Sequence, residues 1–206
     1  MRVVILGAAG QLGREVVRAL VARRHTVCAA VRRPPAPPLD STVDVWLADA
    51  RNTDQLRAAI TGGDAVVNVI GGGTLRRNAV ASSTTAVAVP AAQEVGIKRY
   101  IAMSAGMVAL DGPLFTYVLR PLMFRHIVAE HCRVEALVKA SGLDWTIVRP
   151  TALTTHPARG YVASLALDLR AFITTRADVA AFIADELESN QYVRQVVFVA
   201  SRRAPT

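Results

Sequence analysis

Three glycines, Gly7, Gly10 and Gly13, follow a short apolar run at residues 3–6 and precede a stretch with helical periodicity. Glycines at a strand-to-helix turn leave the backbone N–H groups uncovered where the helix begins, at the positive end of its dipole. A pyrophosphate can approach such a turn because no side chain stands in the way. The spacing is one residue longer than the simplest dinucleotide fingerprint, and a tight turn without a ligand is the alternative interpretation.

Two adjacent arginines, Arg32 and Arg33, follow the second apolar run, residues 26–31. Dinucleotide sites that prefer NAD place an acidic residue at this point, where it bonds the ribose 2′-hydroxyl. Guanidinium groups suit a 2′-phosphate instead, because they form charge-assisted bidentate hydrogen bonds with it. The pair therefore predicts NADP(H) as the preferred cofactor over NAD(H); the alternative is that both arginines only end a solvated loop.

The elements that must position these residues alternate along the chain. Strand-length apolar runs lie at residues 3–6, 26–31, 43–47, 65–70, 100–103, 145–148 and 196–199. Helical stretches lie at residues 11–23, 53–62, 78–95, 127–140 and 176–187, with Thr53 expected to cap the second. This alternation predicts an α/β fold with a doubly wound parallel sheet, the Rossmann fold, in a single domain that covers residues 1–206.

The composition narrows the classes of partner. The formal net charge is +8, but the basic residues are scattered and aromatic residues make up only 5%, so a nucleic-acid-binding stripe is not expected. The apolar runs are too short to span a membrane, and the first residues lack a signal-peptide pattern, so a cytoplasmic protein is expected. No metal site is predicted, and Cys28 and Cys132 are expected to be buried hydrophobic residues.

Several stretches together resemble one known group of proteins. They are GAAGQLG (7–13), VRR (31–33), LADARN (47–52), DAVVNVIGGG (64–73), KRYIAMSA (98–105), SGLDWTIVRP (141–150) and TRADVAAFI (175–183). With these the chain resembles the short-chain dehydrogenase/reductase superfamily. More narrowly, it is similar to the atypical single-domain NAD(P)H-binding group, which includes biliverdin reductase B/flavin reductase-like and NmrA-like proteins.

The resemblance implies a set of cofactor-binding positions. Asp49 and Ala50 match the position that borders the adenine ring, and Ser104 matches a serine near the nicotinamide. The turn that follows the fourth apolar run, residues 70–72, would lie along the cofactor. Pro150 and Thr151 would line the nicotinamide pocket. The full expected set is Gly7, Ala9, Gly10, Gln11, Leu12, Gly13, Arg32, Arg33, Asp49, Ala50, Ile70, Gly71, Gly72, Ser104, Pro150 and Thr151.

The catalytic pattern departs from that of most members. Those members carry Tyr-x-x-x-Lys on the helix before the sixth strand, which here is the helical stretch at residues 127–140. Alignment on Glu135 places Ile127 at the tyrosine position and His131 at the lysine position. The biliverdin/flavin reductase group also lacks the pair and has an acidic-His dipeptide that Glu130 and His131 resemble. Ser104 and His131 are therefore the candidate catalytic residues, with a packing role as the alternative for His131.

Two further features of the resemblance bear on the site. The second histidine of the biliverdin/flavin reductase group is replaced by Thr151 here, which makes bilin chemistry less secure than reduction of a flavin- or quinone-like acceptor. Arg176 and Asp178 match a basic-acidic pair at the beginning of the last helix. For this pair a structural role is expected, in which Asp178 caps or steadies the helix.

The substrate region is expected at residues 106–125 and 151–175, which are rich in apolar and aromatic residues. Such a lining suits a flat conjugated ligand, although a lid or a dimer surface is the alternative. The sequence therefore predicts an NADPH-dependent reductase of a planar flavin-, quinone- or bilin-like acceptor, active as a monomer or homodimer. The alternatives are a non-catalytic NADP(H)-binding sensor of the NmrA type and, less favoured, a sugar-nucleotide or isoflavone-type enzyme.

Overall fold

Eight strands form the central sheet of the computed structural model, which describes residues 1–71, 79–111, 113, 115–167 and 173–202. The parallel strands are β1 (Arg2–Leu6), β2 (Thr26–Val31), β3 (Asp44–Leu47), β4 (Ala65–Asn68), β5 (Arg99–Met103), β6 (Asp144–Pro150) and β10 (Gln195–Ser201). The eighth, β8 (Tyr161–Ser164), runs antiparallel to β10. Two short strands, β7 (Ala152–Thr154) and β9 (Ile173–Thr175), pair with each other in parallel.

The sheet has the order β3-β2-β1-β4-β5-β6-β10-β8. The chain moves outward from β1 to β3 and then returns to the other side of β1 with β4, so Leu6 lies opposite both Ala30 and Asn68. This reversal opens a crevice at the carboxyl ends of β1 and β4, where ligands of doubly wound sheets bind.

Five helices cover the two faces of the sheet in the described part of the chain. They are α1 (Gln11–Ala22), α2 (Thr53–Ile60), α3 (Val80–Glu94), α4 (Arg125–Lys139) and α5 (Arg176–Ser189). Alternate residues of β1 point to opposite faces, so Val3 and Ile5 pack against α1 and α5, whereas Val4 and Leu6 pack against the layer of α2, α3 and α4. The predicted doubly wound fold is confirmed.

The differences from prediction lie outside the long periodic elements. The short strands β7, β8 and β9 were not predicted. Thr53 was predicted to cap α2, but the N-cap is Asn52, whose side chain accepts a hydrogen bond from the Gln55 N–H at 3.1 Å. A stretch of wide π-helical turns, Phe115–Phe124, precedes α4. Cys28 is buried as expected, but Cys132 is exposed on α4.

None of the helices in the described ranges combines the length and the apolar character needed to cross a bilayer.

Candidate cofactor and substrate site

The turn between β1 and α1 depends on two glycines. Gly7 has a φ of +89°, a backbone conformation that disfavours any side chain, and a Cβ there would stand 2.9 Å from Ile70 Cγ1. A Cβ on Gly13 would stand 2.1 Å from the Gly7 carbonyl oxygen and 2.7 Å from Ala8 Cα. Gly13 therefore brings the first turn of α1 into direct contact with the end of β1.

The amino end of α1 offers backbone donors to a ligand. Gly10 is the N-cap, and the first bond of the helix runs from the Arg14 N–H to the Gly10 carbonyl oxygen at 2.9 Å. The N–H groups of residues 11–13 precede that bond and have no intrahelical acceptor. No acidic side chain lies in the first turn of α1, so the donors and the helix dipole together favour an anion.

A cleft of about 440 Å³ opens beside this turn, at the carboxyl ends of β1, β2 and β4. Many of the predicted cofactor residues from separate parts of the sequence line it: Gly7, Ala9, Arg32, Arg33, Asp49, Ala50 and Ile70. Gly71 is exposed next to Ile70, and Gly72 lies outside the described residues. The cleft is large enough for a substantial part of a dinucleotide.

Arginines surround one end of the cleft. Arg32 and Arg33 are exposed and line it, together with Arg51 and Arg14. Arg51 is engaged by Asp49, donating through Nε to Oδ1 at 3.1 Å and through a terminal nitrogen to Oδ2 at 2.8 Å. The hydrogen bonds from Arg51 hold the pKa of Asp49 at about 2, so the carboxylate stays ionised. Arg32 and Arg33 form no ion pair with a described residue, so their positive charges are available to interact with a ligand.

Arg14 is a cleft residue that the sequence analysis missed. Its guanidinium donates to the carbonyl oxygens of Ala9 at 3.3 Å, Pro37 at 2.6 Å and Pro38 at 3.4 Å. It therefore ties the proline-rich loop after β2 to the glycine turn and closes the arginine-lined end of the cleft. Its place directly after the third glycine was the available signal.

The turn after β4 is fixed by a buried asparagine, also missed in the sequence. The Asn68 amide oxygen accepts the Ile70 N–H at 3.1 Å. Its nitrogen donates to the Tyr100 hydroxyl at 3.0 Å and to Thr85 Oγ1 at 3.3 Å. Complete burial raises the pKa of Tyr100 far above its usual range. This network fixes the backbone at Ile70, which lines the cleft.

A second cavity, of about 240 Å³, lies at the carboxyl ends of β5 and β6 and is lined almost wholly by apolar atoms. The expected substrate region supplies its walls, and its lining residues are Ala105, Gly106, Met107, Leu110, Leu119, Phe124, Pro150, Thr151, Ala152 and Leu167. The structure therefore brings Pro150 and Thr151 together with both expected substrate stretches. Such a cavity suits a flat apolar ligand better than a sugar.

Ser104 follows β5, but its hydroxyl hydrogen is already engaged. Ser104 Oγ donates to Glu135 Oε1 at 2.7 Å. Arg149 donates to both oxygens of the same carboxylate at 2.8 Å, and Lys139 donates to Oε2 at 3.0 Å. Burial alone would raise the pKa of Glu135, but these bonds from Arg149, Ser104 and Lys139 bring it below its ordinary value. Ser104 therefore retains lone pairs with which to accept a hydrogen bond.

His131 and Glu130 are both buried on α4. Glu130 accepts hydrogen bonds from the backbone N–H of Ser82 at 2.7 Å and from Ser82 Oγ at 2.8 Å, so it caps the first turn of α3. His131 Nδ1 has no hydrogen-bond partner among the described residues. Burial lowers the pKa of His131 despite the opposing charges of Glu130 and Glu135, which keeps the imidazole neutral near pH 7.

Arg176 and Asp178 have different environments at the beginning of α5. Asp178 is buried and accepts hydrogen bonds from Ser201 Oγ at 2.5 Å and from the Arg159 N–H at 3.1 Å. The N-cap is Thr175, whose hydroxyl accepts the Asp178 N–H at 3.0 Å. Arg176 is only half-buried and lines a separate polar cavity.

Comparison with known proteins agrees with this architecture. The sequence matches the NAD(P)H-binding family over residues 7–190, and the chain belongs to that family. A Bacillus subtilis (strain 168) protein named uncharacterized sugar epimerase YhfK is 31% identical over 196 residues, covering 91% of this chain and 88% of the relative.

Two solved structures share the fold closely. A short-chain dehydrogenase/reductase from Veillonella parvula DSM 2008 in complex with NADP has a TM-score of 0.79 at 21% identity, covering 97% of this chain and 94% of that one. The anaerobillin reductase ChuY from Escherichia coli O157:H7 has a TM-score of 0.81 at 21% identity, with both chains covered completely. The similarity to NAD(P)H-binding oxidoreductases expected from the sequence is confirmed.

Proposed function

We propose that this protein is an NADPH-dependent reductase of a planar conjugated acceptor, of the flavin, quinone or bilin type. The observation that carries the proposal is the pairing of two cavities along one edge of the sheet. The arginine-lined cleft at β1, β2 and β4 suits an anionic dinucleotide. The apolar cavity at β5 and β6 suits a flat ring system.

The residues present fit NADPH. The backbone N–H groups at the beginning of α1 would hold the pyrophosphate, and the turn after β4 would lie along the cofactor with Ile70 and Gly71. Arg32 and Arg33 would bind the 2′-phosphate, which supports NADP(H) over NAD(H). Asp49 would border the adenine, while its ion pair with Arg51 keeps its charge from repelling the phosphate.

NADPH, when bound, would supply a hydride, and the acceptor would gain that hydride and then one proton from solvent after the hydride has been delivered. The protein has to orient the two reactants and exclude bulk water around them. The apolar walls formed by Met107, Leu119 and Phe124 would do this for the acceptor. Pro150 and Thr151, which also line this cavity, would contact the nicotinamide.

The proton chemistry of the site favours an acceptor that needs little acid catalysis. Ser104 donates its hydrogen to Glu135, so we assign it a hydrogen-bond-accepting role beside the nicotinamide. His131 is neutral near pH 7, so it is a weak acid there. A flavin or quinone ring delocalises the charge that a hydride delivers, and an ordinary ketone does not.

The test is turnover of a panel of flavins, quinones and bilins with NADPH, followed at the reduced-nicotinamide absorbance band. We expect turnover with at least one acceptor and a lower kcat/KM with NADH as the donor. Tight NADPH binding without turnover of any acceptor would overturn the enzymatic proposal.

Tight NADPH binding without turnover would instead support a non-catalytic NADP(H)-binding sensor. The closed network of Ser104, Glu135, Arg149 and Lys139 favours this alternative, because the Ser104 hydrogen is held by a carboxylate and is not available to an acceptor. Sugar epimerisation, which the name of the Bacillus subtilis relative indicates, is not proposed, since Ile127 and His131 stand where such chemistry has its tyrosine and lysine.

A further inference from the structure

The strand β3 (Asp44–Leu47) forms an open edge of the central sheet. It pairs with β2 on one side, and no described strand lies on its other side. Edge strands often carry a lysine, a proline or a bulge, which keeps a further strand from pairing with them. None of these three devices occurs within β3, and its register with β2 runs without interruption from Asp44 to Leu47.

The main-chain polar groups of Val45 and Leu47 point towards this open edge. The Ala48 N–H donates to the Val31 carbonyl oxygen at 2.9 Å, so Ala48 directs its N–H towards β2. Because this direction alternates along a strand, Trp46 also faces β2, whereas Val45 and Leu47 face the other way. Their N–H groups and carbonyl oxygens are therefore available to a further strand.

The side chains along the open edge are apolar and exposed to solvent. Val45 and Trp46 are each 40% exposed, and Leu47 is 63% exposed. The Trp46 indole N–H donates to Asp44 Oδ2 at 2.7 Å, within the same strand. A partner can therefore cover the indole ring without leaving a buried donor unsatisfied.

A second, antiparallel copy of β3 satisfies this edge residue by residue. When Trp46 lies opposite the partner's Trp46, Val45 lies opposite the partner's Leu47, and these two residues exchange both of their N–H···O bonds. The two-fold axis repeats this exchange, so the outward main-chain groups of both strands are all paired. The tryptophans form a non-hydrogen-bonded pair, in which side chains approach most closely, and Asp44 faces the partner's Ala48 and not a second carboxylate.

The charges at the two ends of β3 also suit an antiparallel copy. Asp40 and Asp44 lie at its beginning, where Arg2 pairs with Asp44 at 3.5 Å and leaves a net negative charge. Arg32 and Arg33 follow β2 beside the end of β3 and have no acidic partner among the described residues. Antiparallel pairing brings the acidic end of one strand towards the basic end of the other, which favours a second copy of this chain as the partner.

We infer that two copies of this chain associate through β3 and form one continuous sheet about a two-fold axis beside Trp46. This inference does not depend on the proposed reductase function. The edge strand has four residues, so the interface is small, and the dimer exchanges with the monomer as the protein concentration changes.

Analytical ultracentrifugation of the full chain, from micromolar to millimolar concentration, tests the inference. The wild type should shift from the monomer mass to twice that mass. Val45→Pro should weaken the association at least about tenfold, because it removes an N–H that points to the partner but no hydrogen bond to β2. Val45→Thr keeps the N–H and the β-branched shape, so it should associate like the wild type.

A charge on the open edge gives an independent variant. Leu47→Lys should weaken the association to a similar extent, because lysine on an edge strand opposes pairing. The matched control is Val162→Lys, which changes a 50% exposed valine of β8 at the opposite edge of the sheet. It should associate like the wild type, and circular dichroism verifies that every variant folds.

Tryptophan emission locates the interface. The chain has two tryptophans, Trp46 and Trp145, so Trp145→Phe leaves Trp46 as the reporter. Its emission should shift to shorter wavelengths over the concentrations at which the mass doubles, because the ring leaves water. Adding Val45→Pro should abolish that shift.

Several results would overturn the inference. A wild-type protein that stays monomeric at every concentration would show that β3 does not bind a second copy. A dimer that persists in Val45→Pro and Leu47→Lys, that dissociates in Val162→Lys, or that forms without a change in Trp46 emission would place the interface on another surface.

Discussion

Arginine residues at the ligand-binding edge of the sheet belong to two groups. Arg51 and Arg149 are held by carboxylates, Asp49 and Glu135 respectively, so their charges are neutralised within the protein. Arg32 and Arg33 have no acidic partner among the described residues and line the cofactor cleft. Charges without partners are the ones available to a ligand, so single substitutions in the two groups should have different effects.

Replacing Arg32 and Arg33 together by Ala should weaken NADPH binding by about tenfold to a hundredfold, because charge-assisted hydrogen bonds to the 2′-phosphate are lost. NADH, which lacks that phosphate, should bind nearly as well as before. Calorimetric titration of both cofactors measures the two effects, with Arg57→Ala as the control for loss of an arginine outside the cleft. A similar loss for NADH and NADPH would rule out the 2′-phosphate assignment.

Replacing Glu135 by Gln should reduce the free energy of unfolding by about 2–4 kcal/mol at pH 7, because it leaves Arg149, which is 14% exposed, without its carboxylate. The folded state holds the pKa of Glu135 below its ordinary value of 4.5. Its stabilising effect is therefore fully present above pH 4.5 and is lost as the pH falls below that value. Urea unfolding from pH 7 to pH 3 should show the wild type and the variant converging; a difference that stays constant would contradict this account.

Replacing Ser104 by Ala, or His131 by Gln, should lower kcat for the best acceptor by less than about tenfold, since a residue that acts as general acid contributes about a hundredfold or more. The physical reason is that the Ser104 hydrogen is engaged by Glu135 and that His131 is neutral near pH 7. Steady-state kinetics of both variants provide the measurement. A loss of a hundredfold or more in either one would identify it as the proton donor.

Among the elements, α1 combines structural and binding roles most closely. Its face of Leu12, Val16, Val17 and Leu20 is buried against the sheet and α5. Its amino end is held against β1 by Gly13 and so presents its free N–H groups to the cleft. Any side chain that pushes α1 outward should therefore reduce stability and cofactor affinity together.

Gly13→Ala should reduce the free energy of unfolding by about 3 kcal/mol, because the new Cβ would overlap backbone atoms that cannot move aside easily. NADPH affinity should fall as well. Gly142→Ala is the control, since the nearest atom to its added Cβ is 3.8 Å away. Thermal unfolding and NADPH titration give both quantities; a Gly13→Ala protein as stable as the control would show that the contact is not tight in solution.

Elements with a strong hydrophobic period were predictable, and those set by tertiary contacts were not. The helix α1 and all seven parallel strands follow from apolar runs and their spacing. The short strands β7 and β9 have only three residues each and form because they pair with each other. The cap of α2 was misplaced by one residue because Asn52 and Thr53 are both good capping residues.

The candidate site shows the same division. Glycine spacing and the adjacent arginines predicted residues that the structure brings to one cleft. The contacts of Arg14, Asn68 and Arg149 did not follow from the sequence, because their partners are distant along the chain. Likewise, nothing in the sequence indicated that Ser104 and Glu135, which lie on different elements, would be joined by a hydrogen bond.

At the scale of the whole molecule, the ligand-binding features lie along the carboxyl edge of the sheet and the neighbouring helix ends. The arginine-lined cleft and the apolar cavity lie over adjacent strands, and the polar cavity that Arg176 lines lies between α1 and α5. A formal net charge of +8 favours the approach of an anionic dinucleotide. The opposite end of the sheet carries the buried ion pair of Arg99 and Glu186, which stabilises the fold.

The most direct test of the central claim is a crystal structure of the protein with NADP⁺. We expect the pyrophosphate to accept hydrogen bonds from the N–H groups at the beginning of α1, the 2′-phosphate to contact Arg32 and Arg33, and the nicotinamide to lie next to Pro150 and Thr151. An empty cleft at saturating NADP⁺, or a cofactor bound elsewhere on the molecule, would contradict the account.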